Sequence, residues 1–142
     1  MDLSYIIIPI IVLITSQTIK LLADGIRGNF DLKNLFISYG GFPSSHTSFS
    51  VSITMLLGLR QGFDSPFFAL ALAFMLLTVR DALGFRNLLG KQAKVFNHYI
   101  GQLPAEDKQN IPKLREQMGH SAVEVTGGAV WGIVLTYFLS LL

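Results

Sequence analysis

Apolar residues run almost unbroken from Ser4 to Ala23, opening on Tyr5-Ile6-Ile7-Ile8 and closing on Leu21-Leu22. About 20 such residues cross a bilayer core as one helix. Three more apolar runs follow, over about 43–59, 65–81 and 120–141. Two of them start where serine and proline favour a first helical turn, at Pro43-Ser44-Ser45 and at Ser65-Pro66. Between the third and fourth runs, Phe85, Leu88, Leu89, Val95, Phe96 and Tyr99 interleave with Lys91, Gln92 and Lys94. This stretch is amphipathic and too polar to span. It either extends the third helix beyond the membrane or lies along the interface. The pattern predicts an all-α integral membrane bundle of about four spanning helices plus this amphipathic segment. It forms a single domain over residues 1–142, with polar loops at about 24–42 and 100–118.

Two stripes of small residues predict close helix contact in lipid: Ser44, Ser48 and Ser52 at every fourth position, and a GxxxG at Gly128 and Gly132. Composition agrees with lipid as the solvent. The chain is 51% hydrophobic and 14% charged, where soluble domains carry roughly 25% charge. Mean hydropathy is +0.51. The absence of cysteine excludes disulfides, Cys-ligated zinc and a thiol nucleophile. A net charge of +2 says little by itself, and no nucleic-acid partner is expected. Met1-Asp2 opens acidic and no small-residue cleavage site follows the first run, so that run reads as a retained anchor.

Four spans place the first-to-second and third-to-fourth loops on one side of the membrane, and almost every chemically capable group lies in or beside them. Gly40-Gly41-Phe42-Pro43-Ser44-Ser45-His46 predicts a helix start whose free N–H groups favour an anion, with His46 in the first turn. His120 and Glu124 are four apart, so the carboxylate shares a helical face with the imidazole and can orient it. Lys20, Arg27, Arg86 and Arg115 supply cations nearby in sequence. A lysine at a helix end ordinarily snorkels to water, which is the plain alternative for Lys20. Asp81 beside Arg80 reads either as a structural ion pair or as a site-ordering group. His98 reads as an interfacial side chain.

Together these groups suit phosphoryl transfer through histidine. One imidazole attacks phosphorus, a carboxylate supports it, cations neutralise phosphate oxygens, and the second imidazole protonates the leaving alkoxide. No carboxylate cluster is present to hold a metal, and neither metal nor cofactor is expected.

Here the sequence resembles the type-2 phosphatidic acid phosphatase superfamily, which also contains the vanadium haloperoxidases. It is closest to that superfamily's divergent branch of small membrane proteins. Against Lys-x6-Arg-Pro the chain has Lys20-Leu-Leu-Ala-Asp-Gly-Ile-Arg27; against Pro-Ser-Gly-His it has Pro43-Ser44-Ser45-His46. Against Ser-Arg-x5-His-x3-Asp it has Arg115-x4-His120-x3-Glu124. Features of the divergent branch match at Asp81-Ala82-x-Gly84-x-Arg86, at Gln92-Ala93 with Asn97, and at Gly119-His120-Ser121-x-x-Glu124-Val125. The resemblance covers Lys20 to about Gly132. Gly28, Ser45 and Glu124 depart from the pattern's proline, glycine and aspartate. The last arginine sits one residue closer to its histidine, with Leu114 in place of the seryl partner.

The resemblance implies a membrane phosphatase that hydrolyses a lipid phosphate monoester through a phosphohistidine. His120 would be the nucleophile, Glu124 its orienting carboxylate and His46 the general acid. Lys20, Arg27, Ser44, Ser45 and Arg115 would hold phosphate, with Arg86 or Lys113 as alternatives to Arg115 for the third cation. The alternative is a non-catalytic protein that binds a lipid phosphate or another anion at a degenerate site. The chain is short for the family core, so a homodimer would complete the bundle. The expected location is a bacterial plasma membrane. Of the Lys and Arg residues only Arg60 lies in the middle turn, so the positive-inside rule places the site loops in the cytoplasm.

Overall fold

The computed structural model describes residues 2–23, 41–108 and 111–142, and every regular element in them is helical. Helix α1 covers Ser4–Ala23, α2 Ser45–Gln61 and α3 Pro66–Arg80. A single π turn, Asp81–Phe85, joins α3 to α4, Arg86–Gln102. A short α5, Ala105–Lys108, precedes α6, Ala122–Ser140. The starts are chemically specified. The Ser65 hydroxyl accepts the Phe68 amide at 3.1 Å with Pro66 in the first turn, and Ser121 and Glu124 form a reciprocal capping box at α6.

Helix α2 is the axis of the bundle and packs against α1, α3 and α6. Its buried face is mostly hydroxylic: Ser45, Thr47, Ser48, Ser50, Ser52 and Thr54, with Val51 and Leu56. The large aliphatic and aromatic side chains of its neighbours point outward instead, such as Ile6, Ile10 and Ile14 on α1 and Phe67, Leu70 and Leu77 on α3. This polarity is inside-out for a protein in water and correct for one in lipid, where hydroxyls must find partners within the bundle. Most do: Ser48 and Thr54 bond the carbonyls one turn back, Thr54 also reaches Ala71 O on α3 at 3.1 Å, and Thr136 Oγ1 on α6 donates to Ser52 Oγ at 2.6 Å.

The two small-residue stripes meet each other. A Cβ at Gly128 would stand 2.4 Å from Ser44 O, and one at Gly132 would stand 2.6 Å from Ser48 O. The Thr136–Ser52 bond continues the same register. Both indices rise together, so α2 and α6 run parallel, as the second and fourth passes of an up-and-down bundle should.

Among the described residues, three helices are long and apolar enough to cross a membrane: α1, the continuous Pro66–Gln102 helix, and α6. Helix α2 has 17 residues, about 25 Å at 1.5 Å each. It needs no apolar surface of its own, because its neighbours cover it. The amphipathic segment extends the third helix. That helix is 37 residues long, a contour of about 55 Å against a bilayer core of about 30 Å, so α4 projects beyond the core at the end where α2 begins. At the opposite end Arg60 pairs with Asp2 and Ser4, and Gln61 donates to the Tyr5 hydroxyl at 2.6 Å. These contacts close the bundle there.

Gly132→Val should therefore lower stability by roughly 1–3 kcal/mol, the usual cost of overpacking. Gly101→Ala, where a Cβ meets nothing within 4 Å, should leave it unchanged or slightly raised. Thermal unfolding in detergent reads both. A Gly132→Val protein as stable as wild type would contradict the close α2–α6 contact.

Candidate active site

At one end of the bundle three chain segments converge: the start of α2, the π turn, and the residues just before α6. Ser44 sits in extended conformation as the residue before α2, yet its side chain does not cap the helix. Its hydroxyl instead pairs with Thr47 Oγ1 at 3.0 Å, and its backbone N–H donates to Glu124 O at 2.9 Å. Ser45 Oγ is buried without a hydrogen-bond partner among the described residues. The first turn of α2 is thus left without a side-chain cap, and an anion is well suited to supply one.

His120 enters from the other side. Its backbone N–H donates to Ala82 O at 3.1 Å, and its carbonyl accepts from Asn87 Nδ2 at 3.0 Å. The residue is 5% exposed, and its Nδ1 has no hydrogen-bond partner among the described residues. His46 faces it across a cleft of about 610 Å³. The polar end of this cleft holds His46, Asp81, Arg86 and His120; Leu13, Ile14, Phe74 and Leu77 line its apolar part. A second cleft of about 700 Å³ lies on the far side of Pro43, against α6, and has no ionisable lining among the described residues. The candidate site residues His46, Asp81, Arg86 and His120 line the first.

Lys20 is 5% exposed, so it does not snorkel. Lys20 and Arg86 lie close enough to act electrostatically on both imidazoles. Arg86 Nε also meets Asp81 Oδ2 at 2.5 Å, so the ion partner of Asp81 is Arg86, not its neighbour Arg80. Burial lowers the proton affinity of His120. Glu124 opposes this, while Lys20, His46 and Arg86 add to it, and the net pKa lies below the ordinary histidine value. The shift favours the neutral form of His120.

Several expected site residues stand elsewhere. Glu124 acts on His120 through space, but its carboxylate accepts the Ser121 N–H at 3.1 Å in the capping box, leaving His120 Nδ1 unbonded. Arg115 is exposed on the extended segment that leads to His120. Arg27 lies outside the described residues. His98 is exposed on α4, 3.1 Å from Gln102. Among the described residues, no three His, Asp or Glu side chains group as metal ligands.

The sequence reading missed Asn87, and saw in Asn97 only a motif residue. Asn97 donates to Leu114 O at 2.7 Å and accepts the Leu114 N–H at 2.9 Å, fastening the extended segment to α4. The available signal was faint: two asparagines on the amphipathic stretch, ten apart and so about 80° from each other around a helix, before a proline-bearing polar stretch.

A family model described as the divergent PAP2 family matches residues 1–135. The chain belongs to that family. It is also similar to the membrane protein YuiD of Bacillus subtilis, 35% identical over 118 residues and covering 75% of each chain. No solved structure matches it. Membership of the divergent PAP2 family makes this a phosphatase-related membrane protein. Within that family its two site histidines, 74 positions apart in sequence, are brought to one cleft.

Proposed function

We propose that the protein hydrolyses the phosphate monoester of a membrane lipid, with the phosphate held at the uncapped start of α2. The observation that carries this reading is the pairing of His46 and His120 at the polar end of an otherwise apolar cleft, beside buried Lys20. The apolar part of the cleft suits a lipid tail. In the first step a ring nitrogen of neutral His120 attacks phosphorus and the P–O bond to the lipid breaks. His46, in the fraction of molecules in which it carries a proton, gives that proton to the leaving alkoxide. In the second step water attacks the phosphohistidine, its proton passes to His46, and inorganic phosphate leaves. Lys20 and Arg86 neutralise the phosphate oxygens throughout.

One observation favours a second reading, a non-catalytic anion-binding protein. Glu124 is engaged in the helix cap and does not bond His120. In that case phosphate or vanadate binds and nothing is released.

Phosphate release from a panel of lipid phosphates in mixed micelles separates the two readings. His120→Ala and His46→Ala should each lose about a hundredfold or more, while His98→Ala retains most activity. A wild type that binds vanadate yet releases no phosphate supports the second reading; equal loss in His98→Ala would show that the roles are misassigned. The rate should follow a bell in pH. Its acid limb should lie below about 6.5, the ordinary histidine value, because His120 must be neutral and its pKa is depressed.

The site end is read as cytoplasmic. Setting aside Lys20, Arg27, Arg86 and Arg115, the basic residues that the sequence places in or beside the two polar loops are Lys33, Arg80, Lys91, Lys94, Lys108 and Lys113. In sequence only Arg60 lies by the middle turn, and it is paired with Asp2. A Glu106→Cys variant of this cysteine-free chain should resist a membrane-impermeant maleimide in intact cells and react after permeabilisation. Prompt labelling of intact cells would place the site outside.

A further inference from the structure

The 37-residue helix is broken by one π turn, and that turn faces the site. In a regular α-helix the amide of Arg86 would bond the carbonyl of Ala82, four residues back. Here it bonds the carbonyl of Asp81, five back. The Ala82 carbonyl is thereby released from Arg86, and it accepts the backbone N–H of His120 at 3.1 Å. Just beyond the π turn, the Asn87 amide donates both to Leu83 O at 2.8 Å and to His120 O at 3.0 Å. Both backbone polar groups of His120 are thus gripped from one short stretch of the long helix.

Two further features depend on the same turn. Residues five apart face different sides of a regular α-helix, whereas the π turn lets Asp81 and Arg86 pair at the cleft. Gly119, at φ +90°, lies so close that a Cβ there would stand 2.4 Å from Asn87 Oδ1 and 2.7 Å from its backbone N. The approach of His120 to the helix therefore requires glycine before it.

We propose that the π turn and Asn87 form a clamp that positions His120, with Asn87 as a positioning residue acting through the backbone of His120. This rests on the reading of His120 as the group that meets phosphate. π turns are uncommon and frequently mark functional sites; here the gain is a carbonyl made available in mid-helix. A regular helix over Asp81–Arg86 would return that carbonyl to Arg86 and release the segment that carries His120.

The test uses full-length protein in nanodiscs, labelled with 15N and 13C in histidine, with the His120 signals identified by their loss in His120→Gln. In wild type the His120 amide should exchange slowly with solvent, its ring should give one signal, and vanadate should shift that signal. In Asn87→Ala the amide should exchange faster, the ring signal should split or move toward that of exposed His98, and vanadate affinity should fall about three- to tenfold, as for one lost hydrogen bond. Asn87→Asp keeps the shape but loses the N–H donors, and should behave as Asn87→Ala does. Asn87→Gln, which keeps the donors, should recover part of the effect. Fast exchange of the His120 amide in wild type overturns the clamp with no variant needed. An unchanged ring signal and vanadate affinity in a folded Asn87→Ala or Asn87→Asp protein overturns it too. If wild type ignores vanadate while the Asn87 variants still loosen His120, the clamp stands and the phosphate reading falls.

Discussion

The structure depends on the burial of a hydroxyl-lined helix among apolar ones. Helix α2 places its backbone against α6 at Ser44 and Ser48, where Gly128 and Gly132 leave no side chain in the way. In lipid there is no hydrophobic force between helices, so close approach and interhelical hydrogen bonds must hold them together. That contact fixes where α2 begins relative to α6. It therefore also fixes the distance between His46, two residues after Ser44, and His120, two residues before α6. The same packing that stabilises the bundle sets the geometry of the site.

The site is built at the seam between these rigid helices and a less regular segment. On the α2 side the first turn lacks a side-chain cap, and Lys20 is buried nearby. On the other side an extended chain is fastened to α4 by Asn97 and Asn87 and to the π turn by Ala82. Among the described residues two cations, two imidazoles and two carboxylates crowd into this region, and burial lowers the proton affinity of His120. An incoming phosphate dianion would meet Lys20, Arg86 and helix N–H groups, with the carboxylates already engaged: Asp81 by Arg86 and Glu124 by Ser121.

Much of this was legible in the sequence, for physical reasons. Lengths of apolar runs reveal spans, and the serine and glycine stripes revealed a face of contact because lipid-embedded helices have few other ways to pack. His46 and His120 stood out as histidines at helix starts beside basic residues. Three features did not show. The burial of Lys20 depends on what covers it, which sequence position alone does not tell. The π turn is a one-residue change in hydrogen bonding that leaves no periodic trace over five residues. Glu124 carried two signatures at once, a carboxylate four residues after a histidine and the fourth position of a Ser-x-x-Glu capping box. The box prevailed because the helix start supplies its partner at fixed distance.

The account turns on His120 as the residue that receives the phosphoryl group. The most direct measurement is to quench the protein in alkali during turnover of a 32P-labelled lipid phosphate and to map the label by peptide mass spectrometry. Phosphohistidine survives alkali and is lost in acid, so the account predicts an alkali-stable, acid-labile label on the peptide containing His120, absent from His120→Gln. An acid-stable label on Ser44 or Ser45, or turnover that continues in His120→Gln, would contradict it.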